Sequence, residues 1–509
     1  MILKTLKLTN FRGYKDTIEI QFTDLTAFVG KNDVGKSTIL EALDIFFNDG
    51  KNIIKMEKAD VNLLAAGENN TETIISVVFD DLPERVVIDS TYETSLAEEY
   101  LLNSNGLLEV VKHYSNGGSP KVYIRANHPT TGNCEGLLSK KITELRQIIS
   151  RNSIPCENQT ISSVIRKAIW SYYADDLGLS DIEIEVAKED AKKIWEKLSA
   201  YLPLYFLFQA DRKNSDGDDE VQDPLKEAVK EILQNQAIKD KLEEVASIVK
   251  EKLAEVSNHT MEKLREMDPS VANSLNPVLP NTANLKWADV FKSVSITGDE
   301  IPINKRGSGV KRLILLNFFR AEAERQAAEG ERTQVIYAIE EPETSQHTAN
   351  QIILIRALKN LAAAENAQVI ITTHSSTIVK ELNFSDLKLI MKNEDGTRQV
   401  VSVQPGQLCY PSLNEVNYIA FEDATIEYFN ELYGYLWEIG QLQAFTSTLP
   451  TRSYIRVRQN GSLETQQIST PEYVRHQIHH PENRNNTLYT NADLVSSIQS
   501  MRAFIDNLP

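Results

Sequence analysis

The chain has 509 residues, room for two to four domains, with 41% hydrophobic residues and a formal net charge of -18. That acidity argues against a protein coated in nucleic acid, although local basic faces stay open. Cys134, Cys156 and Cys409 show neither metal-ligand spacing nor a disulfide framework. No apolar run reaches a membrane span and the N-terminal MILKTLKLTNF lacks a signal peptide's apolar core, so the chain reads as cytoplasmic.

In chain order, Ile18, Ile20 and Phe22 alternate as a strand, and LTAFV at 25–29 is a second, wholly apolar one. The glycine loop FVGKNDVGKS at 28–37 follows, then STILEALDIFF, where Ile39, Leu40, Leu43 and Phe47 recur at helical spacing. A strand turning into a helix through glycines gathers backbone N–H groups and the positive end of the helix at one spot, which suits a polyphosphate. Asn32, Gly35, Lys36, Ser37 and Thr38 are therefore expected to bind nucleotide, with Lys36 on the terminal phosphates and Ser37 on Mg²⁺. TIISVVFDDL at 73–82 is another strand.

From 91 to 200 the pattern loosens. NSNG at 103–106 and SNGG at 115–118 mark turns, and LLSKKITELRQII reads as helix. Residues 202–208, LPLYFLF, read as a buried strand, and Arg212 in the polar loop beyond it faces phosphate, a carboxylate or solvent. Residues 224–267 then form one long helical stretch. Ile238, Leu242, Val245, Val249, Leu253 and Val256 make an approximate heptad stripe, either a packed amphipathic helix or a projecting arm. Three prolines in 268–281 close it.

KRGSGVKRLILLNFF at 305–319 is a second small-residue turn opening an apolar helix. QVIYAIEE at 334–341 is a buried strand ending in two acids, with Glu340 expected beside the metal and Glu341 as general base toward water. QVIITTHS at 368–375 is another apolar strand, whose His374 would contact the γ-phosphate or orient that water.

The ordered set GKNDVGKST, GSGVKR, VIYAIEEPET and IITTHS resembles the ABC-type ATPases, more closely the branch of SMC-like proteins and OLD (overcoming lysogenization defect) nucleases. NFRGY at 10–14 is typical of that branch, and makes Arg12 a nucleotide contact by resemblance. The resemblance implies ATP and Mg²⁺ as cofactors and a homodimer of heads, each ATP lying between one phosphate loop and the partner's Ser308-Gly309 turn, with higher oligomers open. Two departures stand out. Glu340 occupies a position where most ABC proteins carry Asp, and no glutamine lies between the loop and Gln147, leaving Asp60 as a weak substitute for the family's glutamine loop.

The tail lacks the Asp-x-Asp pair of a TOPRIM nuclease. Residues 417–442 carry an apolar face with aromatics, 453–468 is a hairpin about Asn460-Gly461, and 492–505 is a closing amphipathic helix. VRHQIHHP resembles the arginine-x4–6-histidine motif of HEPN domains, many of them ribonucleases. In that reading Arg475 offsets phosphate charge while His480 acts as acid or base near the start of a terminal helix.

The expected fold is α/β: an ABC-type head (1–90 and 282–405) split by a mainly helical, coiled-coil-like insertion (91–281, with its arm at 224–267). A helical HEPN-like domain with a hairpin (406–509) follows. Functionally, the expectation is an ATP-driven switch of an antiphage system, Septu- or PARIS-like, that senses an invader and controls a nuclease held by its C-terminal domain or encoded separately, its protein partner being that nuclease effector or a phage trigger. The alternatives are an ATP-gated ribonuclease resembling anticodon nucleases, with nucleic acid as its ligand, and an SMC-like DNA-repair ATPase.

Overall fold

A computed structural model describes residues 1–48, 54–87, 92–186, 191–209, 334–344, 347–364, 366–393, 396–403, 412–458 and 460–508, with scattered positions in 236–251 and 297–302. The chain divides into two compact units, Met1–Ala210 with Ala323–Pro509, and Asp211–Glu322. Of the second unit, residues 240–245 are helical, and Thr297–Gly298 pairs antiparallel with Ile301–Pro302. Within the expected arm, Ile238 and Leu242 are half-buried and Val245 and Ile248 exposed. The rest of the stripe and the 305–319 turn lie outside the described residues.

The first unit holds two six-stranded sheets. One is antiparallel, built from β1 (Ile2–Thr9), β2 (Ile18–Gln21), β4 (Glu72–Asp80), β5 (Leu108–Ser115), β6 (Lys121–Pro129) and β7 (Leu179–Glu185), in the order β2-β1-β4-β5-β6-β7. The mainly helical insertion expected from residue 91 is corrected here. Val110, Tyr114, Val122, Ile124 and Ala126 alternate into the core, so β5 to β7 extend the sheet begun by β1 and β4. Helices α3 (Ile142–Asn152) and α4 (Ser162–Tyr172) connect β6 to β7.

The second sheet comprises β3 (Leu25–Val29), β8 (Leu204–Phe208), β9 (Val335–Glu340), β10 (Ala367–Thr373), β11 (Leu387–Lys392) and β12 (Arg398–Ser402). Its order is β12-β11-β3-β10-β9-β8, parallel except for β12. Every residue of β3 and β10 is buried, as expected of parallel strands covered on both faces. The edge strand β8, read from sequence as buried, sinks only Tyr205 fully.

Helix α1 (Lys36–Asn48) packs against both sheets; α2 (Leu63–Gly67) precedes β4, α5 (Ala191–Leu198) precedes β8 and α6 (Thr348–Ala362) joins β9 to β10. Phe46 approaches Phe79 of β4 (ring centroids 6.4 Å), and Phe47 stacks on Tyr205 of β8 (5.5 Å, 8° between planes). The Tyr205 hydroxyl donates to the Leu40 carbonyl at 2.7 Å. Each fully buried side chain of this size contributes about 1.5–3 kcal/mol. The contacts fix where α1 begins, and hence where its N-terminus points.

Beyond β12 the described residues form α8 (Leu413–Phe421), α9 (Ile426–Glu438), α10 (Leu442–Ser447), the hairpin β13 (Thr451–Val457) and β14 (Leu463–Ser469), α11 (Thr470–His479) and α12 (Asn491–Asp506). Tyr428, Phe429, Leu432, Val474, Ile498 and Met501 form its core. The apolar face expected at 417–442 is spread over α8, α9 and the start of α10, because Glu422 adopts a left-handed cap (φ 56°) and Thr425 caps a new helix through the Tyr428 N–H. No helix among the described residues is long and apolar enough to cross a membrane.

Candidate functional site

The carboxyl ends of β3, β9 and β10 lie side by side, where open α/β sheets bind ligands. From β3 the chain enters the loop at Gly30 (φ 152°) and leaves it at Gly35 (φ 107°). Gly30 is required there: a Cβ would lie 2.8 Å from the Ile390 carbonyl oxygen. Lys36 is 5% exposed and its Nζ donates to the carbonyls of Gly30 (2.7 Å) and Lys31 (2.8 Å). Burial pushes the Lys36 ammonium below its ordinary value, against the opposing pull of Glu341, Glu343, Glu340 and Asp33. Thr38 is buried, whereas Asn32 is exposed at the loop tip.

The acids expected from sequence meet this loop. The Ser37 hydroxyl donates to Glu340 Oε1 across 303 positions of chain. A hydroxyl and a carboxylate side by side are hard oxygen donors that fit Mg²⁺. Glu341 begins the turn after β9 in the left-handed region (φ 41°), a conformation costing about 1–3 kcal/mol. Its N–H donates to the Thr372 carbonyl and hydroxyl, both at 3.1 Å, which holds it there. His374 Nδ1 then lies 3.3 Å from Glu341 Oε1. Glu341 and His374, separated by a whole helix in sequence, face each other.

Other predicted contacts differ in detail. Arg12 gives its Nε to Asp60 Oδ1 at 2.7 Å and its Nη1 to Glu41 Oε2. Burial works against the Arg12 charge, but Asp60 and Glu41 outweigh it and hold the guanidinium above its ordinary value. Asp60, weighed as a glutamine-loop substitute, is thus the partner of Arg12. Ser308 and Gly309 lie outside the described residues.

Sequence reading missed three contributors. Glu343, 4% exposed, accepts from the Thr373 hydroxyl and the His374 N–H; its signal was the third acid in EEPET. Arg398 Nη2 donates to the Asp33 carbonyl at 2.9 Å, bracing the outer side of the loop from β12 with no local signal. Gln209, just past β8, donates to Glu41 Oε1 at 3.1 Å.

Arg475 and His480 also come together. With Tyr433, Glu472, His476 and His479 they line a cavity of about 270 Å³. They do not open the terminal helix, as sequence suggested. The Ser469–Glu472 capping box and Pro471 start α11 at Thr470, so Arg475 sits in its body and His480 at its C-cap. The Arg475 guanidinium lies 4.4 Å above the Tyr433 ring and donates to Asn430 Oδ1 at a long 3.5 Å. His480 Nδ1 is 3.2 Å from Glu482 Oε1, and His476 stacks on Tyr454. Burial lowers the His476 pKa, with His480, Arg456 and Arg475 adding to the effect against Glu472.

Solved structures similar to this chain include an SMC head bound to the C-terminal winged-helix domain of ScpA (14% identity, TM-score 0.38, covering 79% of this chain and 98% of that one). Another is the SMC head domain from Thermotoga maritima (13%, 0.32, 79% and 100%). A third is an Smc head with an extended coiled coil bound to the C-terminal domain of ScpA derived from Pyrococcus furiosus (15%, 0.35, 82% and 98%). Comparison with curated proteins gives no match. Residues 1–379 match the AAA_15 family, described as an AAA ATPase domain. That match takes in the glycine loop, Glu340, Glu341 and His374 alike: the chain belongs to the AAA ATPase domain family and is an ATPase.

Proposed function

We propose that this ATPase is a switch whose nucleotide state is relayed to its C-terminal helical domain. One observation carries the reading: α8, the first helix of that domain, touches both sides of the nucleotide site. Asn417 Nδ2 donates at 3.3 Å to the carbonyl of Ser376, which opens the helix α7 (Ser376–Lys380) directly after His374. At the far end of α8, Glu422 Oε1 pairs with Lys31 Nζ of the glycine loop at 2.5 Å. From α8 the path continues inward. Asn414 donates to Glu431 of α9 at 2.6 Å, and α9 supplies Asn430 and Tyr433 to Arg475. A shift of the loop or of His374 on ATP turnover therefore has a mechanical route to the cavity.

In hydrolysis, the loop N–H groups and Lys36 bind the phosphates, and Glu341 with His374 orients and deprotonates the attacking water. Ser37 and Glu340 would hold Mg²⁺, which would supply positive charge to offset that developing on the phosphate. ATP and water give ADP and phosphate. Two heads close on ATP as a homodimer, each completed by the partner's Ser308-Gly309 turn; the motif order GKNDVGKST, GSGVKR, EEPET and TTHS supports this. The same resemblance supports a cytoplasmic antiphage role, in which the C-terminal domain holds or is a nuclease.

A second reading, an ATP-gated ribonuclease, is favoured by Arg475 and His480 lining one cavity. Incubating the purified chain with total tRNA, ATP and Mg²⁺ decides between them. Cleavage lost in Arg475→Ala and His480→Ala supports the ribonuclease. Absence of cleavage with hydrolysis intact supports a switch acting on a partner nuclease. Cleavage indifferent to nucleotide and to Glu341→Gln would sink the switch itself.

A further inference from the structure

Of the three acids at the end of β9, Glu343 is the one withdrawn from solvent, 4% exposed. Its Oε1 accepts from the Thr373 hydroxyl at 2.7 Å and the His374 N–H at 2.8 Å, and lies 3.4 Å from His374 Nδ1. Its Oε2 is buried with no hydrogen-bond partner. Burying an ionised carboxylate with an unpartnered oxygen is unfavourable. An uncharged acceptor would serve the Thr373 and His374 donors equally well, so the charge calls for a separate account.

We propose that Glu343 is a positioning residue for hydrolysis, its charge holding the neutral His374 ring as the Nδ1–H tautomer with Nε2 free to accept. The inference rests on the assignment of Glu341 and His374 to hydrolysis. Two carboxylate oxygens, from Glu341 at 3.3 Å and Glu343 at 3.4 Å, face the same ring nitrogen. A neutral imidazole has one N–H proton, and this negative surrounding draws it to Nδ1. The Lys36 ammonium interacts electrostatically with the same two acids, which places a positive charge beside them. With Nδ1 protonated, Nε2 carries a lone pair. It can accept from a water O–H but has no proton to offer a γ-phosphate oxygen. The two roles open to His374 in sequence are thereby separated: the neutral ring orients water, and phosphate contact belongs to the doubly protonated ring. The same logic governs metal-bound histidines, whose second nitrogen is set by a carboxylate behind it.

The test uses the full chain labelled with ¹⁵N at histidine, the His374 signals assigned by their loss in His374→Asn. Long-range ¹H–¹⁵N spectra are expected to show the Nδ1–H tautomer in the wild type and a mixture in Glu343→Gln. In kinetics, Glu343→Gln keeps an acceptor oxygen for Thr373 and His374, so ATP Kd should stay within about twofold while kcat falls about tenfold or more. Glu343→Asp, which keeps the charge, is expected to retain the tautomer; it carries the test if the Gln variant melts below assay temperature. An Nε2–H ring in the wild type, or full kcat in Glu343→Gln, overturns the inference. Glu341→Gln and His374→Ala separate the two failures. If either hydrolyses ATP at the wild-type rate, the underlying assignment falls; if both are slow while Glu343→Gln is fast, only the role of Glu343 falls.

Discussion

At the nucleotide site, side chains from 30–37, 340–343 and 372–374 converge, and the reactive ones are held by backbone or by a buried partner. Glu341 hangs from Thr372, His374 from Glu343, and Lys36 from the loop carbonyls. In the C-terminal cavity, five of the six lining residues lie within nine positions of chain, and Arg475 is held by a ring face and one long hydrogen bond. The first site is assembled by the fold, from segments far apart in sequence held together across the parallel sheet. The second is a local cluster whose geometry depends on how α9 sits against α11. A switch needs both kinds of site: a fixed one that does chemistry and a movable one that reads it.

The sharpest way to break this contrast is at the fixed site. Lys36→Ala should abolish ATP binding by equilibrium titration. Glu341→Gln should bind ATP normally while kcat falls about 10²–10⁴-fold, the range of a lost general base. Next in size, Phe46→Ala, which empties the contact between α1 and β4, should lower stability by about 3–5 kcal/mol in denaturant melts and weaken ATP binding with it. Arg475→Ala in the movable cavity should lower stability by only about 0.5–2 kcal/mol, the worth of its stacking on Tyr433. If Arg475→Ala proved as destabilising as Phe46→Ala, the cavity would be a core element instead.

A pH series sharpens the comparison from outside both sites. His128 is buried, with its Nδ1 on the Tyr100 carbonyl, and burial, aided by Arg166, holds its pKa below the ordinary 6.5. The unfolded chain therefore binds this proton first. Stability from the neutral ring is present above the ordinary value and is lost as pH falls below it. Melting temperature should drop more steeply between pH 7 and 5 in wild type than in His128→Gln. The smallest effect is expected from Glu422→Lys. An exposed pair is worth little, so stability should change by less than about 0.5 kcal/mol while coupling between the sites weakens without being lost, because the Asn417–Ser376 contact remains.

Legibility followed the same divide. Residues 28–37 were readable because a glycine loop between strand and helix is a local pattern, and so were the strands at 334–341 and 368–375, buried on both faces. The strand ends assign Glu341 and His374 to one water, but their direct contact is not legible, since parallel pairing of β9 with β10 leaves no local trace. Glu343 was overlooked because its partners, Thr373 and His374, are thirty residues away. Residues 108–129 carried a period-two alternation that turn-rich flanks obscured, and they became sheet where helix was expected. In the tail, Pro471 marks the start of α11, so the histidines beyond it fall at the end of that helix and not at the start of the next.

Hydrogen–deuterium exchange on the full-length Glu341→Gln protein, with and without ATP and Mg²⁺, tests the central claim most directly. ATP should alter exchange in 29–41 and 368–380 and also in 413–421 and 470–480, and neither change should occur with Lys36→Ala. Protection confined to 29–41 and 368–380, with 413–421 and 470–480 unmoved, would mean that the C-terminal domain does not read the nucleotide.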